Sequence, residues 1–437
     1  MASFVFHGIS CAGPGGVVRP RVDITVENGR IASIEDAVPG RNPAGGYDGG
    51  GKIALPGFYN IHSHIPMTLL RGYGEGLQLK EWLFGKMIPF ESLLMDEDCY
   101  WGSLLGIAEM LASGTVSFTD MYMHMPGIVK AVSESGIKAN LSHGFSSRVP
   151  GQPFLESAAY EGWQAVREAE ASAKGRIVAD ASIHAEYTTD TESTVRSIAD
   201  WSRGEGLRMH VHISETRKEH EECKIRRGGM TPTAFFERCG IFDSPTTAAH
   251  CVWAEDADLD ILAARGVTVA HCPSSNLKLG SGIARIARMV ELGVRVGIGT
   301  DGAASNNNLD MLEEMVLASL VQKGVTGDPT RFGPGEMLTM ACRNGALSQG
   351  RTDCGELAPG NRADIVVFDL HAPHLQPVYN PLVNVVSAAR ASDIRLTMVD
   401  GEILYRDGKF PTIDIERVMA EAGRIKEEKL ARLAASS

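Results

Sequence analysis

The sequence predicts an α/β fold. A distorted (β/α)8 TIM barrel spans residues 57–357, with a small β-sandwich domain built from both chain ends, residues 1–56 and 358–437. Three observations carry this. Eight short apolar runs alternate with helical patterns through the middle of the chain. Both ends instead alternate apolar and polar residues around Asn-Gly and Asp-Gly turns. Histidine or aspartate closes several of the central runs, and the C-terminal ends of barrel strands are where such a fold gathers its working residues.

Taken in order, Val22, Ile24 and Val26 share one face, Asn28-Gly29 turns the chain, and Ile31 and Ile34 resume the alternation. Asn-Gly favours a two-residue hairpin because both positions must accept positive φ. Phe58–His62 reads as the first barrel strand. Further runs follow at 115–120, 137–142, 177–183, 208–213, 246–251, 267–271 and 294–300. Tyr100, Leu104, Ile107 and Leu111 form a helical stripe, and Gly114, Gly136 and Gly266 stand where helices end in a left-handed residue. Apolar strands alternating with helices imply a parallel sheet covered on both faces, and eight such units imply closure. Toward the C-terminus, 363–370 (ADIVVFDL) reads as a strand. Leu396 to Val399, Asp400-Gly401 and Ile403 to Tyr405 form a hairpin, Asp407-Gly408 is another turn, and 420–433 reads as a charged surface helix.

The length of 437 residues suggests roughly three domains by simple division, but one barrel alone fills about 250 residues. Hydrophobic residues are 43% and charged residues 22%, which excludes disordered, collagenous and coiled-coil classes. A net charge of −12 argues against nucleic acid or anionic lipid as the main partner. No uncharged apolar run reaches the roughly 18 residues of a spanning helix. The start, M-A-S-F-V-F, lacks the basic region of a signal peptide. Eight scattered cysteines without a C-x-x-C pair fit a reducing cytoplasm.

The 13 histidines are not spread at random. His62 and His64 lie two apart on the first strand and so face the same way. His210 and His212 end the fifth strand, His250 the sixth and Asp301 the eighth. Imidazoles and a carboxylate at converging strand ends suit a borderline divalent ion such as zinc. The expected ligands are His62, His64, His212 and Asp301. His210, deeper in its strand, is expected to pack behind them. Such an ion lowers the pKa of bound water toward about 7. Glu215, on the loop after His212, is then placed to carry the proton, His250 to hold the water, and Asp301 to accept a proton as attack proceeds.

Other motifs are weaker. Gly297, Gly299 and Gly302 spell G-x-G-x-x-G, but no acidic partner follows about 20 residues on, as a dinucleotide site requires. Asp256, Asp258 and Asp260 read as a capped helix start, because Ile261 stands where a calcium loop needs glycine. His220-Glu221-Glu222 lacks the second histidine of a zincin. His184-Ala185-Glu186 lacks the cysteines of the cytidine-deaminase site. His7, His124, His371 and His374 show no partner in the sequence.

The chain resembles the amidohydrolase superfamily, and within its mononuclear aminohydrolase branch the 5′-methylthioadenosine/S-adenosylhomocysteine deaminases. The resemblance rests on L-P-G-F-Y-N-I-H-S-H-I-P-M-T-L-L-R-G at 55–72, E-W-L-F-G-K at 81–86, A-A-H-C-V at 248–252, S-S-N-L-K-L-G-S-G at 274–282, G-T-D-G-A-A-S-N-N at 299–307 and L-A-P-G-N-R-A-D-I-V at 357–366. It implies one Zn2+ (or Fe2+) on His62, His64, His212 and Asp301, with Glu215 and His250 in the roles above. It also implies substrate contacts from Glu91 to ribose hydroxyls and from His184 to the nucleoside; Trp82 lies in the same motif region and reads otherwise as core. The implied reaction is hydrolytic deamination of an adenine-type nucleoside (5′-methylthioadenosine, S-adenosylhomocysteine or adenosine) with release of ammonia. A guanine-type base, a pterin or a triazine is the alternative ring, and a non-catalytic scaffold the remote alternative. One departure stands out. Where the family's nucleoside deaminases carry arginine after the third strand, this chain has His143. The second arginine would fall near Phe154, with Arg148 on the same loop. A small-molecule amino-heterocycle is thus the expected partner, without nucleic acid or membrane, and relatives are often homo-oligomers.

Overall fold

The computed structural model describes residues 4–38, 46–147 and 151–436, so Arg148 lies outside the described residues. By compactness the chain forms two units. One comprises Met1–Asn60, Ala108–Ser117 and Asp310–Ile413; the other comprises Ile61–Ile107, Phe118–Leu309 and Asp414–Ser437.

The first unit holds an eight-stranded sheet fed by both ends of the chain. From one edge it runs Glu402–Arg406, Ile394–Val399, Ile365–Asp369, Lys52–Pro56, Phe4–Ala12, Val18–Glu27 and Arg30–Asp36, with Tyr47–Asp48 added beside Phe4–Ala12. The ends join where Ile365–Asp369 pairs antiparallel with Lys52–Pro56, Val367 opposite Ala54. The hairpins turn where expected: Asn28 and Gly29 have φ of 52° and 78°, Asp400 and Gly401 48° and 78°. The sheet then curls onto itself. Ala363 N donates to Gly29 O at 2.9 Å and Ile31 N to Asn361 O at 2.9 Å, so the hairpin at the far edge meets the segment that leads into Ile365–Asp369. Phe6, Ile24, Ile31, Val367, Leu396 and Met398 fill the space between the layers, which is the sandwich the alternation predicts. Each such fully buried apolar side chain contributes about 1.5–3 kcal/mol.

The barrel strands are Phe58–Ser63, Thr115–Tyr122, Lys138–His143, Ile177–Ala179 continued by Ala181–Ala185, Met209–Ile213, Thr246–His250, Thr268–His271 and Arg295–Ile298. All eight expected runs are strands. The fourth is broken at Asp180, whose Oδ2 accepts from Asn140 Nδ2 at 3.0 Å. Its first half pairs with the third strand and its second half with the fifth. This break is the distortion. A bridge between Phe145 and Ile183 spans the seam, and Asp301 N donates to His62 O at 2.9 Å to close the barrel on the other side. Small residues, Ala249 and Ala270, pack with Ile61 in a separate buried cluster.

The terminal helix, Ile415–Ser436, is longer than expected and less superficial. Val418, Ile425 and Lys429 are buried, and Lys429 Nζ meets an Asp98 carboxylate oxygen at 2.7 Å. No described helix is long and apolar enough to cross a membrane.

Candidate active site

The first, fifth, sixth and eighth strands bring five side chains to one point. Imidazole nitrogens of His62, His212 and His250 lie within 4.8 Å of one another, as do donor atoms of His62, His64 and Asp301. His64 Nε2 is 3.3 Å from His212 Nε2 and 3.3 Å from Asp301 Oδ1, and His62 Nε2 is 3.5 Å from the same oxygen. The tautomers follow from their neighbours. His64 Nδ1 donates to Met121 O at 2.5 Å and His212 Nδ1 to His184 O at 2.6 Å. A carbonyl only accepts, so both protons sit on Nδ1 and both Nε2 atoms present lone pairs. Two lone pairs facing at this distance with no proton between them call for a cation. Ligands about 2.0–2.1 Å from a tetrahedral centre stand roughly 3.3–3.4 Å apart, which is the spacing found here. The residues present therefore fit a divalent metal.

His210 stands behind this set. Its Nε2 is 2.9 Å from His62 Nδ1, the outer-partner arrangement that fixes a ligand's tautomer. Asp301 is held from two sides: Ser275 Oγ donates to Oδ2 at 2.6 Å and Gly302 N to Oδ1 at 2.8 Å. Burial acts against its charge, but His62 and His250 outweigh it and hold the carboxyl well below the usual range. His250 Nδ1 meets Asn276 Oδ1 at 2.9 Å, which turns its Nε2 inward. Burial disfavours its cation, yet Glu215 and Asp301 raise its pKa. Burial pushes the Glu215 carboxyl up, and Ser281 Oγ donates to its Oε1 at 3.2 Å. A carboxyl shifted upward in a closed site is suited to taking and returning a proton.

The backbone is strained where these groups leave their strands. Ser214, His250, Cys251 and Asp301 all have positive φ, from 48° to 71°, without being glycine. Such residues persist only where surroundings hold them, and they gather at working sites.

The site opens into a cavity of about 720 Å3. Its inner end is lined by His64, His212, Glu215, His250 and Asp301, its outer part by apolar side chains such as Phe84, Ile88 and Met123. Trp82, Glu91 and His184 also line it. Trp82 is buried, so it is core and pocket wall at once. Glu91 Oε1 accepts from Tyr122 OH at 2.6 Å. His184 is partly buried, and its buried Nδ1 has no hydrogen-bond partner among the described residues. His143 is absent from the lining of this cavity. It lines a neighbouring cavity of about 370 Å3, which shares Met123, His124, Gly144 and Ser146 with the first.

Residues 53–404 match the amidohydrolase family. The chain belongs to that family. It is 42% identical over 429 residues to a 5-methylthioadenosine/S-adenosylhomocysteine deaminase of Pelotomaculum thermopropionicum, covering 97% of this chain and 98% of the relative. It is 39% identical over 417 residues to a 5′-deoxyadenosine deaminase of Methanothermobacter thermautotrophicus, covering 95% and 96%. Among solved structures it is similar to a zinc-bound adenosine deaminase from Xanthomonas campestris, with a TM-score of 0.90, 28% identity and 98% of each chain covered. The protein is thus an amidohydrolase-family hydrolase with a divalent-metal site.

Close packing accounts for two glycines of the G-x-G-x-x-G stretch. A Cβ on Gly299 would stand 2.9 Å from His62 Cβ and 3.0 Å from His62 N. One on Gly302 would stand 2.8 Å from Met67 Sδ and 3.2 Å from His64 Cβ. These glycines let the chain at the end of the eighth strand approach the ligands. Gly299→Ala is expected to destabilise the fold by about 1–3 kcal/mol through overpacking and to weaken metal retention. Thermal unfolding and metal analysis of the purified variant check this.

Sequence reading missed several supporting groups. Asp120 is buried, and its Oδ1 accepts from Ser63 Oγ at 3.0 Å and from Ile65 N at 2.7 Å, gripping the chain on both sides of His64. Asn276, Ser275 and Ser281 lie in a quoted motif, but their roles appear only in space.

Proposed function

We propose that the protein hydrolytically deaminates an adenine-type nucleoside, replacing the ring amino group by oxygen from water and releasing ammonia. The observation that carries this is the facing pair of His64 and His212 lone pairs, with His62, Asp301, Glu215 and His250 around the same point at the floor of a nucleoside-sized cavity. The names of the 42% and 39% identical relatives support the substrate class.

We assign His62, His64, His212 and Asp301 as the metal ligands and zinc as the ion, since nitrogen-rich four-ligand sets favour it and the adenosine deaminase relative binds it. The ion, when bound, supplies the Lewis acidity that makes water a nucleophile near neutral pH. Glu215 takes a proton from the attacking water and returns it to the departing amine. His250 orients that water and steadies the charge developing on the attacked carbon's substituents. Asp301 accepts the second proton of that water, which ends on the ring nitrogen beside the attacked carbon, so that the products are a lactam and ammonia. Glu91, bonded to Tyr122 through Oε1, contacts the ribose hydroxyls, and His184, on the same cavity wall, contacts the nucleoside. Trp82 walls the ring. His143, on the neighbouring cavity, would act farther out, toward the 5′ substituent; Arg148, outside the described residues, is kept as a substrate contact on sequence grounds alone. No Lys or Arg stands among the described residues lining the main cavity, so we rank nucleosides without a carboxylate ahead of S-adenosylhomocysteine.

We further propose that residues 1–56 and 358–437 form one domain and 57–357 the barrel. Strands from both ends share one sheet in support; the terminal helix groups with the other unit, the part that compactness does not support. Eight free, buried cysteines favour a reducing cytoplasm, and a homo-oligomer is the assembly we infer from the family.

The test is an ammonia-release screen over adenosine, 5′-deoxyadenosine, 5′-methylthioadenosine, S-adenosylhomocysteine, guanine, a pterin and a triazine, with metal analysis of the same sample. Turnover of at least one adenine nucleoside by zinc-loaded protein is expected. Metal-replete protein that releases ammonia from none of them would overturn the reading.

A further inference from the structure

Helix Arg217–Arg226 begins with Thr216 as its N-cap, whose hydroxyl accepts from Glu219 N at 3.1 Å. In an ordinary capping box the carboxylate three residues on returns one bond to the N-cap N–H. Glu219 does something more. Its contact with Thr216 N is the longest of three, at 3.4 Å. Its Oε1 accepts from Ser214 N at 3.0 Å and its Oε2 from Glu215 N at 2.8 Å. The carboxylate thus reaches back past the cap to the turn that joins the ligand-bearing strand Met209–Ile213 to the helix.

That turn is under strain and buried. Ser214 has a φ of 49°, a left-handed conformation that a residue other than glycine keeps only where its surroundings hold it. Its side chain is held as well: Ser214 Oγ is 3.0 Å from His220 Nδ1, and His220 Nε2 is 3.2 Å from Glu255 Oε1. Glu219 is only 7% exposed. Burying a carboxylate is costly unless several donors meet it, and a helix cap alone could be made at the surface. The bonds that compensate this burial go to the two residues that set where the Glu215 side chain leaves the chain.

We propose that Glu219 is a positioning residue for the reaction: by clamping the backbone N–H groups of Ser214 and Glu215, it aims the Glu215 carboxyl at the metal-side floor of the cavity. This rests on the role given to Glu215 above. Glu219 touches no reacting atom and acts only through its neighbour.

The experiment compares wild type, Glu219→Ala, Glu219→Gln and Thr216→Ala, measuring kcat, KM, bound metal and Tm on the zinc-loaded full chain with the best adenine nucleoside. Glu219→Ala is expected to lower kcat about 10–100-fold, since misaimed catalytic groups lose rate on that order, with KM and metal content near wild type. Glu219→Gln keeps one carbonyl acceptor in the same volume and should recover part of that loss. Thr216→Ala removes the cap but not the clamp, so it should lower Tm and leave kcat intact. The inference is overturned if Glu219→Ala turns over like wild type, if its loss only tracks lost metal, or if Thr216→Ala loses kcat equally. Should Glu219→Ala fail to fold, Glu219→Gln decides alone: wild-type kcat with full metal overturns the proposal. Wild-type protein without turnover overturns the parent reading, and this inference with it.

Discussion

Glu215→Gln is expected to keep its metal and lose turnover by about 10²–10⁴-fold, the usual worth of a positioned general acid and base. The reason lies in what the substitution leaves alone. Glutamine has the shape of glutamate, and Ser281 Oγ, 3.2 Å from Oε1, can still donate to the amide oxygen. The clamp from Glu219 acts on the backbone of residues 214 and 215 and is untouched. None of the proposed ligands changes. What disappears is a group that exchanges a proton, in a buried position where burial raises the carboxyl's pKa and readies it for that exchange. Removing the charge also takes away one of the three carboxylates, Glu215, Asp301 and Glu219, that raise the pKa of His250. Both effects act on the chemical step, so kcat should fall while KM changes little. Ammonia release under saturating nucleoside, with metal measured on the same protein, checks this. Turnover near wild type would mean that another group carries the proton.

Much of this site could be read before the fold was known, because its ligands are chemically rare and fall at regular places. Two histidines on one strand and His212, His250 and Asp301 at later strand ends mark converging positions even in one sequence. The strands were legible for a similar reason: they are apolar runs separated by glycine-closed helices. The groups that hold the ligands were not. Asp120 grips the chain around His64 from 55 residues away in sequence, and an aspartate within an apolar strand carries no sign of that. The positive φ at His250, Cys251 and Asp301 was equally hidden, because no glycine marks it. The break at Asp180 depends on Asn140 in the neighbouring strand. The four histidines without apparent partners each found an aspartate: His7 with Asp23, His124 with Asp96, His371 with Asp369 and His374 with Asp393. Only His371 and Asp369 are close in sequence; the other pairs are made by folding.

His212→Ala and His210→Ala should part company, and the contrast tests the metal centre more sharply than either alone. The two residues share a strand face, so sequence alternation cannot rank them. Their hydrogen bonds can. His212 spends Nδ1–H on His184 O and turns an unprotonated Nε2 toward His64 Nε2 at 3.3 Å. His210 spends its Nε2 on His62 Nδ1 at 2.9 Å and so meets a proposed ligand from behind. Losing His210 should cost metal affinity roughly 10–100-fold, as outer partners do, because His62 loses the contact that fixes its tautomer. Losing His212 removes one of four donors, so the affinity loss should exceed that range and activity should vanish with the metal. Stability gives an independent readout. An ion that binds only the folded chain stabilises it by about 2.7 kcal/mol at a free concentration 100 times its Kd. A chelator should therefore lower the Tm of wild type and, more readily, of His210→Ala. It should leave His212→Ala unmoved, since that protein has no bound ion to lose. The opposite ranking would exchange the two histidines, with His210 as ligand and His212 as its support. Equal, full metal retention in both variants would mean that the facing lone pairs of His64 and His212 are reconciled by something other than a cation, and the metal assignment would fall with them.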